Sequence, residues 1–88
     1  MKNGKQLERY FKGASNHNRI EILRIINKHD EINLEDIAEI LGGNIKTTSE
    51  HTRRLVHAGL INKKYKSHYV SHSLSPYGKR FLEFINSF

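Results

Sequence analysis

Apolar residues recur every three or four positions along the first half of the chain, which places them on one face of an α-helix. The first three stripes are Leu7, Tyr10, Phe11 and Ala14, then Ile20, Ile22, Leu23, Ile25 and Ile26, then Leu34, Ile37, Ala38 and Leu41. The second stripe is the widest, so we expect its helix to lie at the centre of the core. The pattern therefore predicts three helices before residue 42.

Residues that cap helices separate these segments and predict a fourth helix. Ser15-Asn16 and Asn33 lie where an N-cap side chain would accept a bond from a free backbone N–H. Gly42-Gly43 is expected to end the third helix, because glycine readily adopts the left-handed conformation found at helix C-termini. Asn44 then caps a helix over residues 45–57, a run that contains no helix breaker.

The hydrophobic period changes to two after residue 60. Ile61, Lys63 and Tyr65 alternate with Asn62 and Lys64, and Val70, His72 and Leu74 alternate with Ser71 and Ser73. This pattern predicts two short strands with Lys66-Ser67 at the hairpin tip. Ser75-Pro76 begins a last helix, since proline at the first helical position lacks only an N–H that would have no partner. The predicted fold is mainly α with a small β-hairpin, in the order α-α-α-α-β-β-α.

Composition narrows the possible functions. The chain has 88 residues, which leaves room for a single domain, residues 1–88, with one modest core. Fifteen lysines and arginines against nine acidic residues give a formal charge of +6, which favours a polyanionic partner such as nucleic acid. No apolar run approaches the ~20 residues of a membrane span, and no secretory leader pattern opens the chain. We therefore expect a cytoplasmic protein that binds no membrane.

The third and fourth predicted helices, with the glycine turn between them, form a helix-turn-helix, a unit whose second helix enters the major groove of DNA. At about 100° per residue, Thr48, Thr52, Leu55 and Val56 cluster with Ile45 on the inner face. The outward face carries hydrogen-bonding groups suited to bases and phosphates. These residues are Lys46, Thr47, Glu50, Arg53, Arg54 and His57, with Ser49 and His51 beside them.

A solvated helix is the simpler interpretation of this outward face, with Glu50 paired to Arg53 or Arg54 one turn away. The adjacent hairpin is also basic, which favours the DNA interpretation. We expect the hairpin to contact phosphates or the minor groove through Lys63, Lys64, Lys66, Ser67 and His68. We expect sequence preference to reside in Lys46, Thr47, Glu50 and Arg54, with Ser49, His51 and Arg53 directed mainly at phosphates.

Four stretches of the chain carry a family resemblance: FKGASNHNRIEILRII, NLEDIAEILGGNIKTTSEHTRRLVHAGLI, NKKYKSHYVSHSLS and SPYGKRFLEFI. They resemble the opening helix junction, the helix-turn-helix, the wing and the entry to the final helix of winged-helix regulators of the arsenic-repressor (ArsR) type. The resemblance covers nearly the whole chain. It implies a winged helix-turn-helix fold and a dimeric repressor that binds operator DNA.

The chain departs from that family pattern at three kinds of position. His17 stands where the family usually has proline, and Ser67 where the wing often has glycine. Thr48 and Thr52 replace aliphatic side chains on the inner face of the fourth helix. Because buried hydroxyl groups need partners, we expect these two to bond to the backbone carbonyl one turn earlier.

The last helix carries an aromatic stripe that predicts homodimerisation together with the first helix. Its members are Tyr77, Phe81, Phe84, Ile85 and Phe88. The expected interface consists of Leu7, Tyr10, Phe11, Phe81, Phe84, Ile85 and Phe88. The alternative is that both stripes simply complete a small core.

No metal, cofactor or catalytic site is predicted. The chain has no cysteine, and its final helix lacks histidine, so the resemblance transfers neither common metal-sensing site of the family. His17 and His29 would lie roughly 18 Å apart on a helix, too far to share an ion. Serines lie near histidines at Ser49-His51 and along the wing, and no enclosing pocket is evident there. The sequence therefore indicates a non-enzymatic protein.

A second function stays open at this point, namely a winged-helix interaction module that binds protein or RNA within a larger assembly. A protein-docking wing would more often carry an apolar patch. Here the basic residues are concentrated on the fourth helix and the hairpin, which favours double-stranded DNA.

Overall fold

The computed structural model describes residues 1–88. The elements are α1 (Gly4–Gly13), α2 (His17–Lys28), α3 (Leu34–Leu41), α4 (Ile45–His57), β1 (Ile61–Tyr65), β2 (Val70–Leu74) and α5 (Pro76–Asn86). Their order and type confirm the predicted mainly α fold with one hairpin. None of the five helices combines the length and hydrophobicity that a membrane span requires.

The helix ends are set by the residues next to them in sequence. The side chains of Asn16, Asn33 and Asn44 each accept a backbone N–H bond from the first turn of α2, α3 and α4. Gly42 ends α3 with φ of 76°, a left-handed conformation that costs glycine little. Asn3 caps α1 in the same way, a cap that the apolar pattern did not reveal.

Helix α2 lies at the centre of the molecule, as its wide apolar face predicted. Ile22, Leu23 and Ile26 are at most 1% exposed. The helix contacts α3, α4, α5 and β2. Packing around one central helix fixes the positions of the others, because a close-packed interior tolerates few alternative arrangements.

The hairpin is antiparallel, with Ile61 opposite Leu74 and Tyr65 opposite Val70. Residues 66–69 separate the two strands, and the Lys66 N–H donates to the Tyr69 carbonyl at 2.8 Å, which extends the cross-strand bonding by one residue on each side. The tip therefore consists of Ser67 and His68, one residue later than the predicted Lys66-Ser67 pair.

Strand β2 has a second neighbour in the turn between α2 and α3. The backbone N–H of His72 donates to the Ile32 carbonyl, and the His72 ring Nδ1 bonds to the same oxygen, each at 2.9 Å. These bonds attach the base of the hairpin to the helical core and bury the His72 ring.

Helix α1 packs closely against the C-terminal end of α4. A Cβ added at Gly13 would overlap the Cβ of Ala58, and Ala58 is 3% exposed. The last residue of α1 is therefore in direct contact with the residue that follows α4. This contact fixes how α1 lies relative to α4.

The two inward threonines of α4 are almost fully buried. The hydroxyl groups of Thr48 and Thr52 donate to the carbonyls of Asn44 and Thr48, both at 2.8 Å. The expected bonds to the preceding turn are thus confirmed. Ile45 differs from the prediction, since it is 47% exposed. Ile45 lies in the first turn of α4, on the face that was predicted to pack against the core, but about half of its side chain is in contact with solvent.

Candidate nucleic-acid interface

The outward face of α4 is exposed from Lys46 at its start to His57 at its end. Lys46 and Thr47 occupy the first turn, next to the Asn44 cap, and their side chains have no protein partner in the structure. In helix-turn-helix proteins this N-terminal part of the second helix contacts base edges. The geometry therefore leaves these two side chains available to a ligand.

Glu50 forms ion pairs with both neighbouring arginines. Its carboxylate accepts from Arg53 Nη2 at 2.7 Å and from Arg54 Nε at 3.1 Å. The hydrogen bonds from Arg53, and then the one from Arg54, lower the pKa of Glu50 below its ordinary value. The carboxylate is thus ionised at neutral pH and offsets part of the charge of two arginines. All three groups are exposed, so salt will weaken the pairs.

His51 lies at the edge of this face and contacts α2. Its ring Nδ1 accepts a hydrogen bond from Arg19 Nε at 3.1 Å. Burial, and then the charge of Arg19, lower the pKa of His51, which favours the neutral ring. With Nδ1 as acceptor, the proton of the neutral ring resides on Nε2, which can donate to a phosphate. Sequence periodicity gave no sign of Arg19, because the bond joins residues 32 positions apart.

The wing presents two lysines without a carboxylate partner. Lys63 and Lys64 are exposed on β1, whereas Lys66 Nζ lies 3.0 Å from the Glu31 carboxylate and is held by it. The hydrogen bond from Lys66 to Glu31 raises the pKa of this lysine. Ser67 and His68 are exposed in the loop. The ion pair links the wing tip to the turn between α2 and α3.

Aromatic and aliphatic residues of α1 and α5 form one partly exposed surface, which we call the apolar face. Its members are Leu7, Phe11, Phe81, Phe84, Ile85 and Phe88. The ring of Phe11 lies 5.3 Å from Phe81 and 6.3 Å from Phe84, and Phe84 lies 5.2 Å from Phe88, all edge to face. Of the predicted dimer residues, Leu7, Phe11, Phe84 and Phe88 are exposed, Phe81 and Ile85 are half-buried, and Tyr10 is buried. Tyr10 therefore belongs to the core of the protomer, where it packs against Tyr77 at 5.4 Å between ring centroids.

The histidine, aspartate and glutamate side chains form no group of three that could hold a metal ion. His72, one of the six histidines, is 2% exposed and bonds to Ile32, so its role lies in packing the hairpin.

A helix-turn-helix pair followed by an antiparallel hairpin and a closing helix defines the winged-helix class of proteins. The profile of the MarR family matches residues 16–67, from the N-cap of α2 to the tip of the hairpin. This match covers more than half of the chain, which therefore belongs to the MarR family. Family and fold together identify a DNA-binding transcription regulator.

Solved winged-helix structures share this fold at low sequence identity. The homodimeric winged helix-turn-helix DNA-binding domain Mb0332 from Mycobacterium bovis, described as a possible ArsR-family regulator, has a TM-score of 0.86 at 23% identity and covers 94% of this chain and 77% of its own. HlyU from Vibrio cholerae has a TM-score of 0.86 at 23% identity, and the match covers 98% of this chain and 94% of HlyU. MepR, a transcription regulator of the Staphylococcus aureus multidrug efflux pump MepA, has a TM-score of 0.79 at 20% identity. That match covers 93% of this chain and 65% of MepR.

A comparison with curated protein sequences gave no match. The winged-helix regulator expected from the sequence is confirmed as a class. The family match is to MarR, so the assignment to the ArsR type stays a prediction.

Proposed function

We propose that this chain is a sequence-specific repressor of the ArsR-like winged-helix kind, whose α4 lies in the major groove of operator DNA. The observation that carries the proposal is the outward face of α4, where exposed cationic and hydrogen-bonding side chains follow directly on a capped N-terminus. Residues 1–88 act as one domain, in the cytoplasm, without enzymatic activity, metal or cofactor.

Base reading is assigned to Lys46, Thr47, Glu50 and Arg54. The first three lie in the N-terminal half of α4, the part that reaches deepest into the groove. A lysine or arginine suits guanine, a threonine methyl suits thymine, and a carboxylate accepts from cytosine. Ser49, His51 and Arg53 are assigned to phosphates, which position the helix without reading sequence.

The wing is assigned to the DNA backbone or the minor groove through Lys63, Lys64, Lys66, Ser67 and His68. The exposure of Lys63 and Lys64 supports this role directly. Lys66 would exchange its bond with Glu31 for a phosphate, which is feasible because the pair is partly solvated.

The test is selection of bound fragments from a random duplex library, followed by binding of Lys46→Ala, Thr47→Ala, Glu50→Ala and Arg54→Ala at fixed salt. Loss of a bidentate base contact should lower affinity by about 5- to 150-fold for fragments carrying the contacted base. Lys28→Ala, an exposed cation at the end of α2, is the matched control. If all four variants keep the wild-type preference, the assigned reading face is wrong.

The same assay separates DNA regulation from an interaction module. A-form RNA of equal length serves as competitor, because its deep, narrow major groove does not admit a helix. Preference for the RNA competitor over the selected duplex would contradict the proposal.

We also propose that the chain dimerises through the apolar face, as the homodimeric Mycobacterium bovis domain supports. The participating residues are Leu7, Phe11, Phe81, Phe84, Ile85 and Phe88, with Tyr10 supporting them from the core. In a two-fold symmetric dimer, the two copies of α4 would bind two half-sites about one turn of the DNA duplex apart. A monomeric mass in sedimentation at tens of micromolar would contradict this arrangement.

A further inference from the structure

Helix α1 has a basic face as well as an apolar one. At about 100° per residue, the mean direction of Arg9 and Lys12 lies roughly 150° from the mean direction of Leu7 and Phe11. All four residues are exposed. Leu7 and Phe11 belong to the apolar face, so Arg9 and Lys12 lie on a different side of α1. The proposed function gives these two residues no role.

Arg9 and Lys12 open onto a cleft between α1 and α4, which we call the basic cleft. Its volume is about 640 Å³. Five cationic side chains from three helices line it, and Glu8 is the only carboxylate among the lining residues. These cations are Arg9 and Lys12 of α1, Arg19 of α2, and Arg53 and Arg54 of α4.

Carboxylates neutralise only part of this charge. Lys12 Nζ lies 3.6 Å from Glu8, and Glu50 serves both arginines of α4. Arg9 and Arg19 have no carboxylate partner. Five cations against two carboxylates in a concave surface attract anions, and arginine guanidinium groups suit phosphate oxygens in particular.

The walls of the basic cleft are held in place by bonds independent of any ligand. Arg19 donates through Nη1 to the Gly13 carbonyl at 3.2 Å and through Nε to His51. The close contact between Gly13 and Ala58 holds α1 against the C-terminal end of α4. Little rearrangement is then needed on binding, so little of the binding energy is lost to ordering.

We propose that the basic cleft binds phosphates of the DNA backbone that flank the major groove occupied by α4. This inference rests on the proposed function and adds a contact from the dimerisation helix. Arg53 and Arg54 belong both to the outward face of α4 and to the cleft. A duplex seated on α4 is therefore brought to the cleft as well. Because α1 also carries the apolar face, the phosphates concerned lie on the side of α4 nearer the partner subunit, between the two half-sites.

The test uses the double variant Arg9→Gln/Lys12→Gln of the full chain, with duplex affinity measured over a series of salt concentrations. Loss of two phosphate contacts should flatten the slope of log affinity against log salt by about 1.8 and weaken binding to all sequences alike. Lys28→Gln/Lys79→Gln removes two exposed cations outside the cleft and should leave the slope within about 0.3 of wild type.

A charge-preserving variant separates phosphate binding from a structural role. Arg9 lies over the Tyr10 ring at 5.9 Å from its centroid, so its removal also alters packing. Arg9→Lys/Lys12→Arg should retain the wild-type slope even where circular dichroism shows a small loss of stability. Failure of this variant to retain the slope would overturn the inference.

The remaining outcomes distinguish the inference from the function on which it rests. If wild-type protein does not bind duplex DNA, the proposed function fails. If it binds and the Gln variant keeps the wild-type slope, only the basic cleft assignment fails. Pyrophosphate serves as a probe for a small phosphorylated ligand. Saturable binding of pyrophosphate that the Gln variant loses, with an unchanged slope for DNA, would assign the cleft to that ligand instead.

Discussion

Alanine at Gly13 is expected to destabilise the protein, because its Cβ would overlap the Cβ of Ala58. Non-bonded carbon atoms pack at about 3.5–4.0 Å, so α1 and the end of α4 would have to separate by a distance on the order of 1 Å. Overpacking of this kind costs about 1–3 kcal/mol. Alanine recovers up to ~1 kcal/mol through its higher helix propensity. The expected net loss is therefore about 1–2 kcal/mol.

The companion substitution Ala58→Gly tests the cause of this loss. It removes the methyl group that Gly13→Ala would meet, so Gly13→Ala should cost nothing or stabilise in that background. The coupling free energy between the two positions is then about 1–3 kcal/mol. Urea unfolding followed by circular dichroism measures all four proteins, at one protein concentration because dimerisation is linked to stability.

Two results would refute this reasoning about the helix contact. Gly13→Ala could be as stable as wild type, which would mean that α1 shifts without cost. Alternatively, the two substitutions could add within ~0.5 kcal/mol, which would mean that the side chains at the two positions do not meet.

Three further predictions concern the wing, the buried histidine and the apolar face. Lys64→Ala should flatten the salt slope of DNA binding by about 0.9. An unchanged slope in salt-series anisotropy would exclude a wing contact. Burial lowers the pKa of His72. As pH falls below the ordinary pKa of histidine, His72 is therefore protonated in the unfolded chain before it is protonated in the folded protein. The free energy of unfolding then declines by up to about 1.4 kcal/mol per pH unit. Urea unfolding from pH 7.5 to 5 should show a shallower decline for His72→Gln, and identical profiles would contradict this. Phe84→Asp should give a monomer by sedimentation while retaining the wild-type helical spectrum, whereas a persistent dimer would place the interface elsewhere.

Local chemistry in the sequence determined where the elements begin and end. Asn44, Gly42 and Pro76 set helix boundaries through their own side chains or backbone conformations, so neighbouring residues suffice to predict them. The outward face of α4 likewise follows from helical geometry. The back-bonding of Thr48 and Thr52 was predictable for the same reason, since donor and acceptor are only four residues apart.

Periodicity gives the direction of a side chain but does not say what lies in that direction. Ile45 points toward the face predicted to be buried, yet it is 47% exposed. Tyr10 shares its stripe with exposed Phe11, yet it is buried against Tyr77.

Only the tertiary structure decided which distant residues meet. The pair of Lys66 with Glu31, the bond of Arg19 to His51, and the basic cleft all join elements far apart in sequence. Each depends on the angle and distance between packed elements, which a single close contact such as Gly13 against Ala58 can set. That information lies in the fit of side chains across the core, whereas the apolar pattern records only that a core exists.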